Sequence, residues 1–127
     1  MDKYDFNREK LINLFDIDLI PEKFIQTLDE GKIEFICLSH SSNMVSKIAE
    51  ISVIYPDMHR KVFALYDYGY CIKFEEISIN EFTDKDSRNK EICRLYHKAH
   101  LSQNFIARLF KISQPTVSII LSKNKSA

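Results

Sequence analysis

The sequence of 127 residues has no tryptophan, two glycines and three prolines. So little glycine and proline excludes a collagen-like or low-complexity chain. A membrane-spanning helix needs roughly 18 to 20 consecutive apolar residues, and no segment approaches that length. The first ten residues, MDKYDFNREK, are charged throughout and lack the apolar stretch of a secretory signal. With 45% hydrophobic residues we expect an ordinary core. The lack of a spanning segment and of a secretory signal predicts a soluble cytoplasmic protein with no membrane contact.

Cysteine is scarce, with Cys37, Cys71 and Cys93 widely spaced along the chain. Structural zinc sites usually need close ligand pairs such as CxxC, so we expect reduced, buried thiols. Cys93, His97 and His100 follow one another at helical spacing, which would place three metal-ligand types on one face. No fourth ligand accompanies them, and the sequence predicts neither a metal site nor a cofactor.

Acidic residues become rare after Thr83. From Asp84 onward nine lysines and arginines stand against three acids, which gives this part a net charge of +6 and leaves −6 for the rest. We therefore divide the chain into an acidic part, 1–83, and a basic part, 84–127. A basic third on an acidic body indicates a surface for a polyanion, although charge alone does not separate DNA, RNA and membrane.

The acidic part is predicted to begin with helices. Residues 7–15 have the apolar spacing of an amphipathic helix. A second, short helix begins near Pro21, which suits a first helical turn, and stops at Gly31. Its predicted buried side consists of Phe24, Ile25 and Leu28. Residues 32–40, which include IEFICL, fit either a helical face or a buried strand, and we favour the helix.

A three-stranded antiparallel meander is predicted next, with strands over 51–55, 61–66 and 70–74. Pro56 takes the second position of the first turn, and Gly69 supplies the positive φ that the second turn requires. A competing interpretation makes VSKIAEIS (45–52) a helix, but we prefer a strand there. A polar loop over 80–88 then leads to a helical C-terminal third.

The two ends of the chain share a weak pattern at a separation of 81 residues, for example Phe24 with Phe105 and Ile25 with Ile106. Such spacing also arises by chance between two amphipathic helix pairs, so a true internal repeat and a coincidence both stay open. The predicted fold class is α+β, with helical units at both ends of a small central antiparallel sheet.

The most informative pattern lies in residues 101–121. Ser102 is placed to cap a first helix, Ile112 fills a turn, and Ser113 caps a second helix with an early proline. Small Ala107 allows a second helix to cross closely. The predicted inward residues are Ile106, Ala107, Phe110, Val117, Ile120 and Leu121. The outward face of the second helix holds no acid and consists of Gln114, Pro115, Thr116, Ser118 and Ile119.

This segment resembles the helix-turn-helix of bacterial DNA-binding regulators, in which an LSQxxIA opening, an apolar turn residue and an SxxTVS second helix recur. A helix predicted over 89–99 precedes it and completes a three-helix unit. Related families often have glycine in the turn, where this chain has Lys111. Lysine adopts left-handed or bridge geometry at a small cost, so we expect the motif to survive with a slightly opened turn. The resemblance implies that the outward face of the second helix contacts bases in the major groove.

Phosphate contacts are predicted around that face, from residues at the helix starts and from nearby basic side chains. The set comprises Ser102, Gln103, Asn104, Arg94, Arg108, Lys111, Ser113, Lys123 and Lys125. The sequence thus predicts a sequence-specific double-stranded DNA-binding repressor. It predicts no enzyme, because the upstream residues hold no convergent nucleophile or metal-binding carboxylates.

One helix-turn-helix covers about half a DNA site, which implies a homodimer on an inverted repeat or an internally duplicated monomer. The second layout resembles the TraN family, small regulators of plasmid conjugative-transfer operons, and implies repression of transfer genes. An alternative is a phage- or plasmid-encoded inhibitor whose acidic part, 1–83, binds a host protein while the helix-turn-helix serves autoregulation.

Overall fold

The computed structural model describes residues 22–27, 31–39, 47–69 and 71–124. The chain divides into two compact units, Met1–Ile77 and Ser78–Ala127, a division that falls before the predicted boundary after Thr83. The described elements of the first unit are α1 (Glu22–Thr27), β1 (Lys32–Ser39), β2 (Lys47–Ile54), β3 (Arg60–Asp67) and β4 (Ile72–Ile77). Those of the second are α2 (Lys85–His97), α3 (Gln103–Phe110) and α4 (Gln114–Lys123).

The fold is α+β, as predicted, with helices before and after one antiparallel sheet of strand order β1-β2-β3-β4. Alternate residues of the central strands point to a shared core, since side chains of a strand alternate between its faces. Phe24 of α1 packs on this core, with ring centroids 5.3 Å from Phe63 and 5.0 Å from Phe74. Phe24 and Ile25 are buried, as predicted, whereas 7–15, Pro21 and Leu28 lie outside the described residues.

The helix predicted for 32–40 is wrong, because β1 occupies Lys32–Ser39. A β-bulge between Ile33 and Phe35 explains the misleading pattern. The extra residue shifts the alternation by one, so Ile33 and Ile36 both contribute to the core at a spacing that imitates a helix. The bulged Glu34 accepts hydrogen bonds from Ser52 Oγ at 3.0 Å and from Nε and Nη2 of Arg60 at 2.9 Å.

The three predicted strands are present with different bounds. Those predicted over 51–55, 61–66 and 70–74 correspond to β2, β3 and β4, and β1 extends the meander to four strands. Residues 47–54 form β2, so the helical interpretation of 45–52 is wrong for its described part. The amide of Met58 donates to Tyr55 O at 2.8 Å, which puts Pro56 at the second turn position. Gly69 has a φ of 89° in the turn before β4, as predicted.

Gly31 precedes β1 at a point where the sheet leaves no room for a side chain. A Cβ there would lie 2.5 Å from Cγ1 of Val53 and 2.9 Å from Cε1 of Tyr55. Gly31→Ala is therefore expected to destabilise the first unit by about 1 to 2 kcal/mol, through overpacking. Urea denaturation followed by circular dichroism measures the loss. Gly69→Ala serves as a comparison, because no atom beyond the two neighbouring residues lies within 4 Å of the position its methyl carbon would take, and the cost expected there is backbone strain.

In the second unit, helix α2 begins at Lys85, earlier than the start predicted at residue 89. Asp84 caps α2, because its Oδ1 accepts from the Ser87 amide at 2.8 Å while Ser87 Oγ accepts from the Asp84 amide at 3.2 Å.

The cysteines match the expectation of reduced, buried thiols only in part. Cys93 is buried, but Cys71 is exposed and Cys37 is half-buried, and all three are free. No helix of the described residues has the length and apolar character needed to cross a membrane.

Candidate nucleic-acid interface

Helix α3 starts at the predicted cap. Ser102 Oγ accepts from the Phe105 amide at 3.2 Å, and this satisfies one of the amides that a helix start leaves unpaired. Phe105, Ile106 and Ala107 are buried, so the inward positions Ile106 and Ala107 are confirmed. Phe110 is half-buried and packs on Phe82 at a ring-centroid distance of 5.5 Å.

The turn after α3 contains the predicted departure from glycine. Lys111 is left-handed, with φ 59° and ψ 43°, which confirms that lysine accepts this geometry here. The Ile112 amide donates to Ala107 O at 3.0 Å and the Lys111 amide to Arg108 O at 3.3 Å, the paired bonds of a Schellman helix end. Ile112 is half-buried in the turn.

Helix α4 also starts at its predicted cap. Ser113 Oγ accepts from the Thr116 amide at 3.2 Å and lies 2.7 Å from Thr116 Oγ1. Proline stands in the first turn, where the missing amide hydrogen costs nothing. The buried side consists of Val117, Ile120 and Leu121, as predicted. On the other side Gln114, Pro115, Ser118 and Ile119 are exposed and Thr116 is half-buried.

A side-chain hydrogen bond joins the starts of α3 and α4. Gln114 Nε2 donates to Gln103 Oε1 at 2.6 Å across a sequence separation of 11 residues. Two predicted site residues, one assigned to phosphate and one to bases, are thus brought together. The contact was not predicted, because it depends on how the two helices cross, and local spacing does not specify that.

The two-helix segment formed by α3 and α4 carries basic side chains and no acidic ones. Arg108, Lys111 and Lys123 are exposed, and the sequence from Ile92 onward contains no aspartate or glutamate. At the helix starts Asn104 and Ser113 are exposed, while Ser102 and Gln103 are half-buried. Lys125 lies outside the described residues. The segment therefore presents an uncharged helix face of polar and apolar side chains, with cations beside it.

Arg94, another predicted phosphate contact, is occupied within its own unit. Its Nε and Nη2 donate to the two carboxylate oxygens of Glu91 at 2.8 and 2.6 Å, and Nη2 also donates to Ser78 O at 2.7 Å. Glu91 is 5% exposed and also accepts from the backbone amide of Asn80 at 2.7 Å. Burial opposes ionisation of Glu91, but the hydrogen bonds from Arg94 and Asn80 outweigh it and lower the pKa of this carboxyl.

Cys93 and His97 of α2 and His100 after its end are not gathered into a site. Cys93 is buried, whereas His97 and His100 are exposed, and burial raises the pKa of the Cys93 thiol. Within the described ranges of the chain, no group of three or more histidine, cysteine, aspartate or glutamate side chains is arranged to hold a metal ion.

Comparison of the chain with protein-family models, with curated proteins and with solved structures finds no match. The functional interpretation therefore depends on the residues of this chain and their geometry.

Proposed function

We propose that the chain is a sequence-specific double-stranded DNA-binding transcriptional regulator and that α3 and α4 act as a helix-turn-helix. The observation that carries the proposal is the exposed, acid-free face of α4, tied to the start of α3 by the bond between Gln103 and Gln114. An α-helix of this kind fits the major groove, where amide and hydroxyl side chains distinguish base pairs.

In this arrangement α4 lies in the major groove and the start of α3 lies against the backbone. Gln114 and Ser118 offer hydrogen bonds to base edges. Gln103 and Asn104 approach phosphate, and Arg108, Lys111 and Lys123 supply the sequence-independent attraction. Arg94 is left out of this footprint, because its guanidinium already donates to Glu91 and Ser78 O.

Regulation follows from occupancy, since a protein bound over a promoter blocks the polymerase. We propose two chains on an inverted repeat, because one α4 covers about half a site. Internal duplication would place a second N-terminal helix over 33–42, 81 residues before α4, but the described part of that range belongs to strand β1. This difference favours two chains over an internally duplicated monomer. The narrower assignment to a plasmid transfer operon rests on the resemblance to the TraN family.

Selection from a random duplex library tests the proposal. The purified chain is incubated with the library at near-physiological salt, bound duplexes are sequenced, and the mass of the complex is measured. A symmetric enriched motif with two chains bound is the expected result. An asymmetric motif with one chain bound contradicts the dimer and supports internal duplication. Absence of enrichment contradicts DNA recognition and redirects attention to a protein partner of residues 1–83.

Lys111 allows charge and stability to be separated in one substitution. Lys111→Gly removes a cation and also relieves a left-handed lysine, so we expect the second unit to gain about 1 kcal/mol of stability. DNA affinity should nevertheless fall on every duplex, with the slope of log K against log salt shallower by about one unit. Fluorescence anisotropy at several salt concentrations measures the slope, and thermal unfolding measures the stability.

Lys123→Ala is the matched control for the charge, since it removes one cation from an ordinary helical position. Its slope should change by the same amount as that of Lys111→Gly. An unchanged slope in either variant removes that lysine from the phosphate footprint.

A further inference from the structure

The exposed side of α4 is apolar at its centre. At 100° per residue, Pro115 and Ile119 lie opposite the buried Val117, Ile120 and Leu121. They are four residues apart and therefore adjacent on the helix surface. We call these two residues the Pro115–Ile119 ridge. Ile119 is 54% exposed and is one of the few large exposed hydrophobic side chains in the described residues.

A single exposed isoleucine is common on a protein surface. This one differs by its surroundings, because it lies on the face of α4 between Ser118 and Lys123 and within an acid-free, basic segment. A polyanion fits those charges, and a protein partner with an apolar pocket would need no such concentration of cations. The occupant that combines surrounding negative charge with exposed methyl groups is the major groove of DNA.

The polar groups beside the ridge favour A·T base pairs, whose thymine carries the exposed methyl group. Guanine is contacted most often by arginine or lysine, and the first two turns of α4 contain neither. Gln114 has one amide hydrogen committed to Gln103, and the Thr116 hydroxyl lies 2.7 Å from Ser113 Oγ. Glutamine and asparagine are the side chains that pair with adenine, and apolar groups pack on the methyl group of thymine.

We propose that the Pro115–Ile119 ridge contacts the 5-methyl groups of thymines in the major groove, so that the centre of each half-site consists of A·T pairs distinguished by methyl contact. This inference rests on the proposed DNA-binding function and specifies its chemistry. Ile119 is the specificity-determining residue, and Pro115 is the neighbouring surface that shields the methyl group from water.

The experiment replaces single thymines by deoxyuridine in the selected duplex, which removes the methyl group and keeps the hydrogen-bonding groups. Fluorescence anisotropy at fixed salt gives the dissociation constants. For the native chain, at least one replacement is expected to weaken binding about fourfold, the factor that corresponds to burial of one methyl group. In Ile119→Ala the same replacement should have no further effect.

Ser122→Ala is the control variant, since Ser122 is also exposed on α4 and its loss removes no apolar contact. It should keep the full dependence on the methyl group. Replacing the critical T·A pair by C·G and then by 5-methylcytosine·G tests the methyl group in a different base pair. The methylated pair should recover about fourfold in affinity over the unmethylated one.

The outcomes distinguish failure of the methyl contact from failure of the proposed DNA-binding function. Failure to select any duplex contradicts the proposed function itself. Sequence-specific binding that is indifferent to every deoxyuridine replacement, or a dependence that persists unchanged in Ile119→Ala, overturns the methyl contact and leaves DNA recognition intact. If Ile119→Ala instead converts a dimer into a monomer, the ridge is a contact between chains and the inference is wrong.

Discussion

Replacing Arg94 with methionine is expected to destabilise the second unit by about 2 to 4 kcal/mol, because it leaves a buried carboxylate without its counter-ion. Glu91 would keep only the Asn80 amide as a hydrogen-bond donor among the contacts described above. Methionine retains much of the arginine stem, so packing changes little. Chemical denaturation of the native chain and the variant measures the difference.

A double-mutant cycle isolates the ion pair. Glu91→Gln removes the charge but keeps an acceptor for the Asn80 amide, so its cost should be smaller than that of Arg94→Met. The double variant should be more stable than Arg94→Met alone, since no unpaired charge remains buried. Additive losses in the cycle would contradict coupling between Glu91 and Arg94.

The pH dependence has a definite sign. The pKa of Glu91 lies below its ordinary value of 4.5 in the folded chain. Its contribution is therefore present above the unfolded-state pKa and is lost as the pH falls through the folded-state pKa. The stability difference between the native chain and Arg94→Met should thus be full near neutral pH. It should shrink on acidification, starting at the Glu91 pKa that burial raises in the variant and ending at the lowered Glu91 pKa of the native chain. A difference that stays constant on acidification would rule out the carboxylate as its source.

The same variant decides between two roles of Arg94. The sequence predicts a phosphate contact, whereas the structure places the guanidinium on Glu91. For a positioning role within the unit, the salt dependence of DNA binding should stay unchanged at a temperature where Arg94→Met is folded. A slope shallower by about one unit would return Arg94 to the phosphate footprint.

The C-terminal helices were predictable from sequence because each of their determinants is local. A serine cap, an early proline and apolar side chains at helical spacing act within a few residues, so Ser113 and Val117 indicate α4 without any knowledge of the rest of the chain. The left-handed conformation of Lys111 was one of two geometries expected there, left-handed or bridge, because related families often have glycine at this position of the turn.

The remainder depends on partners distant in sequence. Residue Ile33 faces the core together with Ile36 only because a bulge interrupts β1, and the bulge is defined by pairing with β2. The bond between Gln103 and Gln114 depends on the crossing of α3 and α4 in the same way. The pairing of Glu91 with Arg94 had a local signal, three-residue spacing on a helix, but burial turned that common surface arrangement into an internal one.

Replacing Gln114 with alanine is expected to weaken binding to the selected DNA site by about 5- to 150-fold, equivalent to about 1 to 3 kcal/mol, through loss of the side chain that we propose to contact bases. Binding to unrelated duplexes should change little, because the proposed phosphate contacts do not involve Gln114. Preference should relax at particular base pairs, which competition with singly substituted duplexes measures. Equal weakening on all sequences would contradict the base-contacting role.

Gln103 positions Gln114 in this scheme, and the two substitutions should therefore be coupled. Gln103→Ala frees the Gln114 amide to take other rotamers, so it should relax preference at the same base pair that Gln114→Ala affects, with a smaller loss of affinity. The double variant should bind more weakly than Gln114→Ala only by the amount that the proposed phosphate contact of Gln103 contributes. Asn104→Ala controls for that contact, since Asn104 is exposed beside Gln103. This substitution should reduce affinity equally on all duplexes. Relaxed preference at a different base pair in Gln103→Ala would show that Gln103 contacts DNA independently of Gln114.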